Sequence, residues 1–81
     1  MEMKEKHIFL LYVIDGEENG IAKTTLEGVF DSYERAMGST IDSINGKKLY
    51  HTITEQFFNH PFGRNSINRW SNYKEDEWKK W

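Results

Sequence analysis

Cysteine is absent from this chain, and long apolar runs are nearly so. Without cysteine there is neither a disulfide framework nor a thiolate metal site, and the chain suits a reducing cytoplasm. The longest apolar run, residues 8–14, is about a third of a membrane span. Residues 1–6 are too acidic and too polar for a secretory signal. We therefore expect a soluble, unexported protein without a membrane partner, located in the cytoplasm, which is the host cytoplasm if the protein is viral.

The length of 81 residues limits the chain to one domain, residues 1–81, with a single core. Such a domain buries roughly 60–65% of the surface that its unfolded chain exposes. Its stability is therefore expected to be modest unless a partner or a second copy contributes, and a homodimer is one expectation. Residues 1–6 are expected to be disordered.

A strand pattern gives way to a helix pattern near residue 31. Leu26 and Phe30 are expected on one face of a strand, and Asp31 or Ser32 can cap the first helical turn. Apolar or small residues then follow at spacings of three and four, which predicts an amphipathic helix of about three turns. These residues are Tyr33, Ala36, Met37, Thr40, Ile41 and Ile44. Asn45-Gly46 is expected to end the helix, since both tolerate the left-handed conformation.

The remaining pattern favours strands. Residues 7–14 are almost continuously apolar and predict a central strand, residues 15–20 predict a hairpin loop, and residues 21–30 predict the returning strand. Alternation in residues 48–58 favours a third strand, with helix as the alternative. A short helix is expected within residues 65–81. The predicted fold class is α+β: a small antiparallel sheet packed by one main helix, in the order ββαβ(α).

One motif carries a resemblance. The second strand ends in Gly28-Val29-Phe30, and Ser32, Glu34 and Ala36 stand at the helix start. Over residues 7–44 this order resembles small uncharacterised accessory proteins encoded by bacteriophages and prophages. The resemblance implies a β-hairpin packed by a helix and a viral origin, and it implies no catalytic residues.

Residues typical of catalysis or metal binding are sparse. His7, His51 and His60 lack a second histidine or carboxylate at a metal-ligand spacing, so no metal or cofactor is expected. His51 alternates with apolar neighbours, as a half-buried strand residue does, and His60 precedes a proline, as a turn residue does. Gly16 and Gly20 do not form a phosphate loop, because no lysine-serine pair follows them. The chain is predicted not to be an enzyme, and no catalytic residue is assigned.

Charge is unevenly distributed although the net charge is only -2. Residues 1–46 hold nine acidic residues against four basic ones, whereas residues 47–81 hold seven basic against four acidic ones. Two solvated faces account for this pattern. The alternative is an acidic binding face, whose candidate residues are Glu17, Glu18, Glu27, Asp31 and Glu34.

The segment 59–81 is both aromatic and basic. Its rings can anchor a protein interface, where tryptophan, tyrosine and arginine are enriched, or stack on nucleobases. They can also simply complete the core. The candidate partner-binding residues are Arg64, Arg69, Trp70, Tyr73, Trp78 and Trp81.

A non-enzymatic binding module is the function that the sequence favours. The resemblance makes it a phage accessory protein that binds a host protein, such as a nucleic-acid-processing or defence factor, and inhibits or redirects it. The alternative is a small nucleic-acid or nucleotide-binding protein that uses the basic aromatic segment. The sequence pI of about 5.9 argues against that alternative, because nucleic-acid-binding domains are usually basic.

Overall fold

The computed structural model describes residues 6–58, 66–75 and 77–80. In chain order the elements are β1 (His7–Glu18), β2 (Ile21–Phe30), α1 (Tyr33–Gly38), β3 (Ser43–Ile44), β4 (Lys47–Lys48), β5 (Tyr50–Phe57), β6 (Ser66–Ser71) and β7 (Lys79–Lys80). Five strands form one antiparallel sheet in the order β2-β1-β5-β6-β7, and β3 pairs with β4. The described part of the chain is therefore mainly β, and the predicted α+β fold is wrong. The predicted disorder of residues 1–6 falls almost wholly outside the described residues.

Strand β1 lies inside the sheet, with β2 on one side and β5 on the other. Its apolar run suits a strand that is paired on both edges, which this position supplies. The strand continues past Ile14 to Glu18, and Asn19 and Gly20 turn the chain with φ of 55° and 79°. Two positive φ angles are typical of the tight turns that match strand twist. A tight turn thus replaces the predicted six-residue loop.

Helix α1 is only six residues long, so the predicted three-turn main helix is wrong. Ser32 caps its start, since the Ser32 hydroxyl accepts a hydrogen bond from the Arg35 N–H at 3.1 Å. Beyond Gly38, the Ser39 and Thr40 hydroxyls donate to the carbonyls of Arg35 and Met37 at 3.0 and 2.9 Å. Glycine, hydroxyl side chains and β-branched residues all disfavour continued helix, and here they outweigh the apolar spacing.

Asn45 and Gly46 form the turn of the β3-β4 hairpin instead of a helix end. Their φ angles are 52° and 79°, and Ile44 pairs with Lys47 directly across the turn. Asn-Gly between two short extended segments is a strong hairpin signal. As a result Ile41 and Ile44, expected in the core, are 57% and 51% exposed.

The expected C-terminal helix is also wrong, because strand β6 occupies much of that segment. Trp70 pairs with Ile53 of β5, so long-range pairing in the core overrides the local helical spacing. Lys74 has a φ of 57°, which a right-handed helix does not allow. The third predicted strand is present as β5.

The core lies between α1 and one face of the sheet, which we call the helix face. Leu11, Ala36 and Ile53 are its buried centre. Around them pack the larger side chains of Phe9, Phe30, Tyr33, Met37, Trp70 and Trp78. The extra residue of a bulge in β2 sets Leu11 opposite Gly28 but Tyr12 opposite Leu26.

The bulge changes which β2 side chains reach the core. Phe30 lies opposite Phe9 on the helix face, whereas Leu26 lies opposite Tyr12 on the other face and is 46% exposed. The expectation that Leu26 and Phe30 share a face is therefore wrong. Gly28 allows the close packing, since a Cβ there would come within 2.9 Å of the Phe30 ring.

Candidate functional site

A groove of about 380 Å³ crosses the sheet on the face opposite α1. We call it the cross-strand groove. Strands β1, β2, β5 and β6 all contribute, through side chains that alternate away from the helix face. Ile14 and Ala22 supply apolar surface, and Thr24, Arg69, Tyr73 and Glu75 supply polar groups. This volume lies in the range of small-ligand and side-chain pockets.

A hydrogen-bonded cluster holds one side of the groove. The Thr52 hydroxyl donates to the Ser71 hydroxyl oxygen at 3.1 Å, and the Ser71 hydroxyl donates to the His51 carbonyl at 3.2 Å. The Tyr73 N–H donates to the same Ser71 oxygen at 3.2 Å. Because Thr52 and Ser71 are buried and bonded to each other, they fix the chain where it leaves β6.

Asn72 reinforces this exit from the sheet. Its side-chain carbonyl accepts from the His51 N–H at 2.7 Å, and its own N–H donates to the His51 carbonyl at 3.2 Å. The side chain therefore continues the strand pairing where β6 ends. Tyr73, the next residue, is held at the groove by these bonds.

Arg69 is the cationic group of the groove. It stands on β6 opposite Thr54 of β5 and is exposed. It makes no hydrogen bond or ion pair with the described residues. Glu75 also lines the groove, and its Oε1 lies 3.4 Å from the ammonium of Lys79. A guanidinium beside apolar surface can donate two parallel hydrogen bonds to a carboxylate or phosphate.

Tyr73 separates the groove from a second depression of about 320 Å³. The Tyr73 hydroxyl donates to the Glu17 carboxylate, and that bond raises the pKa of Tyr73 above its ordinary value. Hydrogen bonds to Glu17, the larger effect from Lys74 and the smaller from Tyr73, hold the pKa of Glu17 below its usual value. The rings of Tyr50 and Tyr73 meet edge to face with centroids 5.8 Å apart. These contacts connect the tip of the β1-β2 hairpin to the segment after β6.

Two of the lysines that line the second depression are close to carboxylates. Lys47 Nζ lies 2.6 Å from Asp15 Oδ1, and Lys74 Nζ lies 2.5 Å from Glu17 Oε1. The bond from Lys47 lowers the pKa of Asp15. Lys48 Nζ lies 5.2 Å from the centre of the Tyr50 ring. The charges of Lys47 and Lys74 are therefore largely balanced within the chain.

The structure divides the candidate residues of segment 59–81. Arg69 and Tyr73 line the cross-strand groove. Trp70 packs on the helix face, with its ring centroid 4.6 Å from that of Tyr33, and Trp78 packs against the same core. The remaining two candidates, Arg64 and Trp81, lie outside the described residues, as does His60.

The five acidic candidates do not share one surface. Glu17 and Glu18 lie at the tip of the β1-β2 hairpin, whereas Asp31 and Glu34 follow the other end of β2, roughly 30 Å away by strand rise. Glu27 lies between these two groups. Glu18 and Asp31 have basic neighbours, Lys23 at 3.9 Å and Arg35 at 3.5 Å.

His51 is a buried group that sequence reasoning underrated. It is 3% exposed, and its Nδ1 has no hydrogen-bond partner among the described residues. A cavity of about 30 Å³ adjoins it, with Glu27 and Ser39 in the wall. That volume suits a single water. The alternation around His51 predicted its strand position but not the depth of its burial.

Among the described residues, no group of three or more histidine and acidic side chains is arranged to hold a metal ion. No helix in the described ranges has the length and apolar character needed to cross a membrane. Comparisons with protein-family models, with curated proteins and with solved structures found no match. The site is therefore interpreted from its own geometry: a small, mainly β domain with a groove across one sheet face.

Proposed function

We propose that the protein is a non-enzymatic protein-binding module. Its cross-strand groove takes a segment of a partner protein in which an acidic side chain lies beside apolar ones. The observation that carries this proposal is the guanidinium of Arg69, which pairs with none of the described residues and lines the groove together with the apolar residues Ile14 and Ala22. A buried carboxylate-guanidinium contact supplies direction, and the apolar surface supplies most of the binding free energy.

The charges around the groove favour a protein partner over nucleic acid. Backbone recognition needs several cations that can each neutralise a phosphate. Next to the groove, however, Lys47 and Lys74 already contact Asp15 and Glu17. Trp70 is partly buried against the core and meets the Tyr33 ring edge to face, which leaves less of its ring to stack on a base.

Two sequence features support a host protein as the partner. The resemblance of residues 7–44 to phage accessory proteins suggests a viral origin, and the lack of cysteine suits a cytoplasmic site of action. A module of this size acts most directly by occupying a surface that the host protein needs. Inhibition or redirection of that protein would follow.

The test uses an array of short peptides tiled across a bacterial proteome and probed with the labelled protein. Bound peptides are expected to share an Asp or Glu flanked by apolar residues. Arg69→Ala should weaken their binding by more than roughly tenfold, as expected for an arginine at the centre of an interface. Arg35→Ala is the matched control, because Arg35 is exposed on α1.

A charge swap sharpens the result. The Arg69→Glu protein should not bind the selected peptides. It should bind the same peptides once their acidic residue is replaced by lysine. Peptides that bind the Arg69→Ala protein as tightly as wild type would refute the groove as the site. The absence of any bound peptide would refute peptide recognition altogether.

A further inference from the structure

Strand β2 is the long open edge of the sheet. It ends the strand order and spans ten residues, whereas the opposite edge, β7, is two lysines long. No described strand pairs with the outer side of β2. Alternate backbone N–H and C=O groups of a strand point to each side, so this edge offers a row of groups for pairing.

Apolar side chains are exposed along the same strand. Ile21 is 72%, Leu26 is 46% and Val29 is 53% exposed. Edge strands of monomeric proteins are usually short or blocked by charges. Here the charges on the central part of the strand are Lys23 and Glu27, which have opposite signs.

We propose that β2 pairs antiparallel with β2 of a second copy, about a two-fold axis through Thr25. In this register Lys23 of each copy faces Glu27 of the other, and Thr24 faces Leu26. The axis produces both charge pairs at once. Registers centred on Thr24 or Leu26 would set Lys23 opposite Thr25 or Val29 and lose them.

The sequence of β2 suits this register, which runs from Lys23 to the bulge at Glu27. Lys23 and Glu27 lie on either side of Thr25, at equal sequence distance. Glu27 lines the small cavity beside His51 on the helix face, and it has no ion-pair partner among the described residues. Lys23 lies 3.9 Å from Glu18, and both side chains are well exposed, so this weak contact is easily exchanged.

The charges also select the partner. A lone lysine on an edge opposes pairing with unrelated strands, whereas a lysine and a glutamate placed symmetrically about one residue favour pairing with the same sequence. Self-pairing would join two five-stranded sheets into one continuous sheet and bury the exposed Leu26. The second copy is therefore the occupant that this edge fits.

The test is sedimentation equilibrium of the full chain, up to millimolar concentration, with reciprocal charge reversals. The wild-type protein should dimerise. Lys23→Glu and Glu27→Lys should each raise the dissociation constant by roughly tenfold or more, because both symmetric contacts become repulsive. The double variant should recover most of the wild-type affinity.

Glu77→Lys is the matched control. It makes the same charge change as Glu27→Lys at an exposed residue between β6 and β7, on the far side of the sheet. It should leave dimerisation unchanged. A wild-type protein that stays monomeric would overturn the proposal and leave the edge open to a partner's strand. A dimer that tolerates both reversals would overturn it as well.

Discussion

His51 combines deep burial with an unpaired ring nitrogen. Burial lowers its pKa below the ordinary value of about 6.5, and the nearby carboxylates of Asp42 and Glu27 oppose that shift only in part. The unfolded chain therefore takes up a proton at a higher pH than the folded protein does. Neutral His51 contributes its full stabilisation when the pH is above the pKa that His51 has in the unfolded chain. This contribution is lost as the pH falls through the lower pKa that His51 has in the folded protein.

We expect the melting temperature to fall as the pH is lowered from about 7 toward 5, with His51 as one cause. His51→Leu should flatten that dependence, because leucine takes up no proton, and at pH 7 it should cost little, because it removes the unpaired Nδ1. Thermal unfolding of both proteins across this range is the measurement. Identical pH profiles would contradict the role assigned to His51.

Two isoleucines test the position of the core. Ile53 is fully buried at its centre, whereas Ile41 is 57% exposed. Ile53→Ala should lower the free energy of unfolding by ~2–5 kcal/mol, as large-to-small core changes do. Ile41→Ala should cost less than about 1 kcal/mol. Urea unfolding of the two variants is the measurement. A larger loss of unfolding free energy for Ile41→Ala than for Ile53→Ala would contradict this position of the core.

At the level of elements, strands were more predictable than helices. The apolar run of β1 and the alternation of β5 are local signals that agree with their tertiary positions. The spacing from Tyr33 to Ile44 misled, because apolar residues at helical intervals also occur where a short helix ends and a hairpin begins. Asn45-Gly46 was the decisive clue, since its hairpin preference is stronger than its use as a helix end.

The cross-strand groove was predictable only in fragments. Arg69 and Tyr73 were both candidates, but nothing local shows that they lie beside Ile14 and Thr24. That proximity depends on β6 pairing with β5 and on the bulge in β2. Both arise from contacts between residues far apart in the chain, and the periodicity of the sequence does not reveal such contacts.

Two glycines give a matched test of the turn and the helix end. Gly46 has a φ of +79°, whereas Gly38 ends α1 without a positive φ and has open space where a Cβ would stand. Gly46→Ala should destabilise the protein by about 1 kcal/mol, because alanine is strained there. Gly38→Ala should stabilise it by about 0.4–1 kcal/mol. Chemical denaturation of both variants is the measurement. Changes of the same sign in the free energy of unfolding would contradict the hairpin turn.

At the level of the whole molecule, part of the uneven charge of the sequence is balanced by ion pairs between its acidic and basic halves. The acidic tip of the β1-β2 hairpin meets lysines from the basic half of the chain: Asp15 contacts Lys47, and Glu17 contacts Lys74. Exposed pairs of this kind add little stability. They do reduce the positive potential that the basic half would otherwise present to a polyanion.

This balance leads to a prediction about nucleic acid. Fluorescence anisotropy of labelled short single-stranded DNA and RNA should show no saturable binding at ~50 mM salt, since Lys47 and Lys74 are paired. Trp70 and Trp78 are poor reporters here, because both pack against the core. As an internal control, Asp15→Asn with Glu17→Gln releases both lysines and should allow weak binding that disappears at ~200 mM salt. Wild-type binding that falls steeply and log-linearly with salt would instead favour the nucleic-acid function, since each neutralised phosphate releases a counterion.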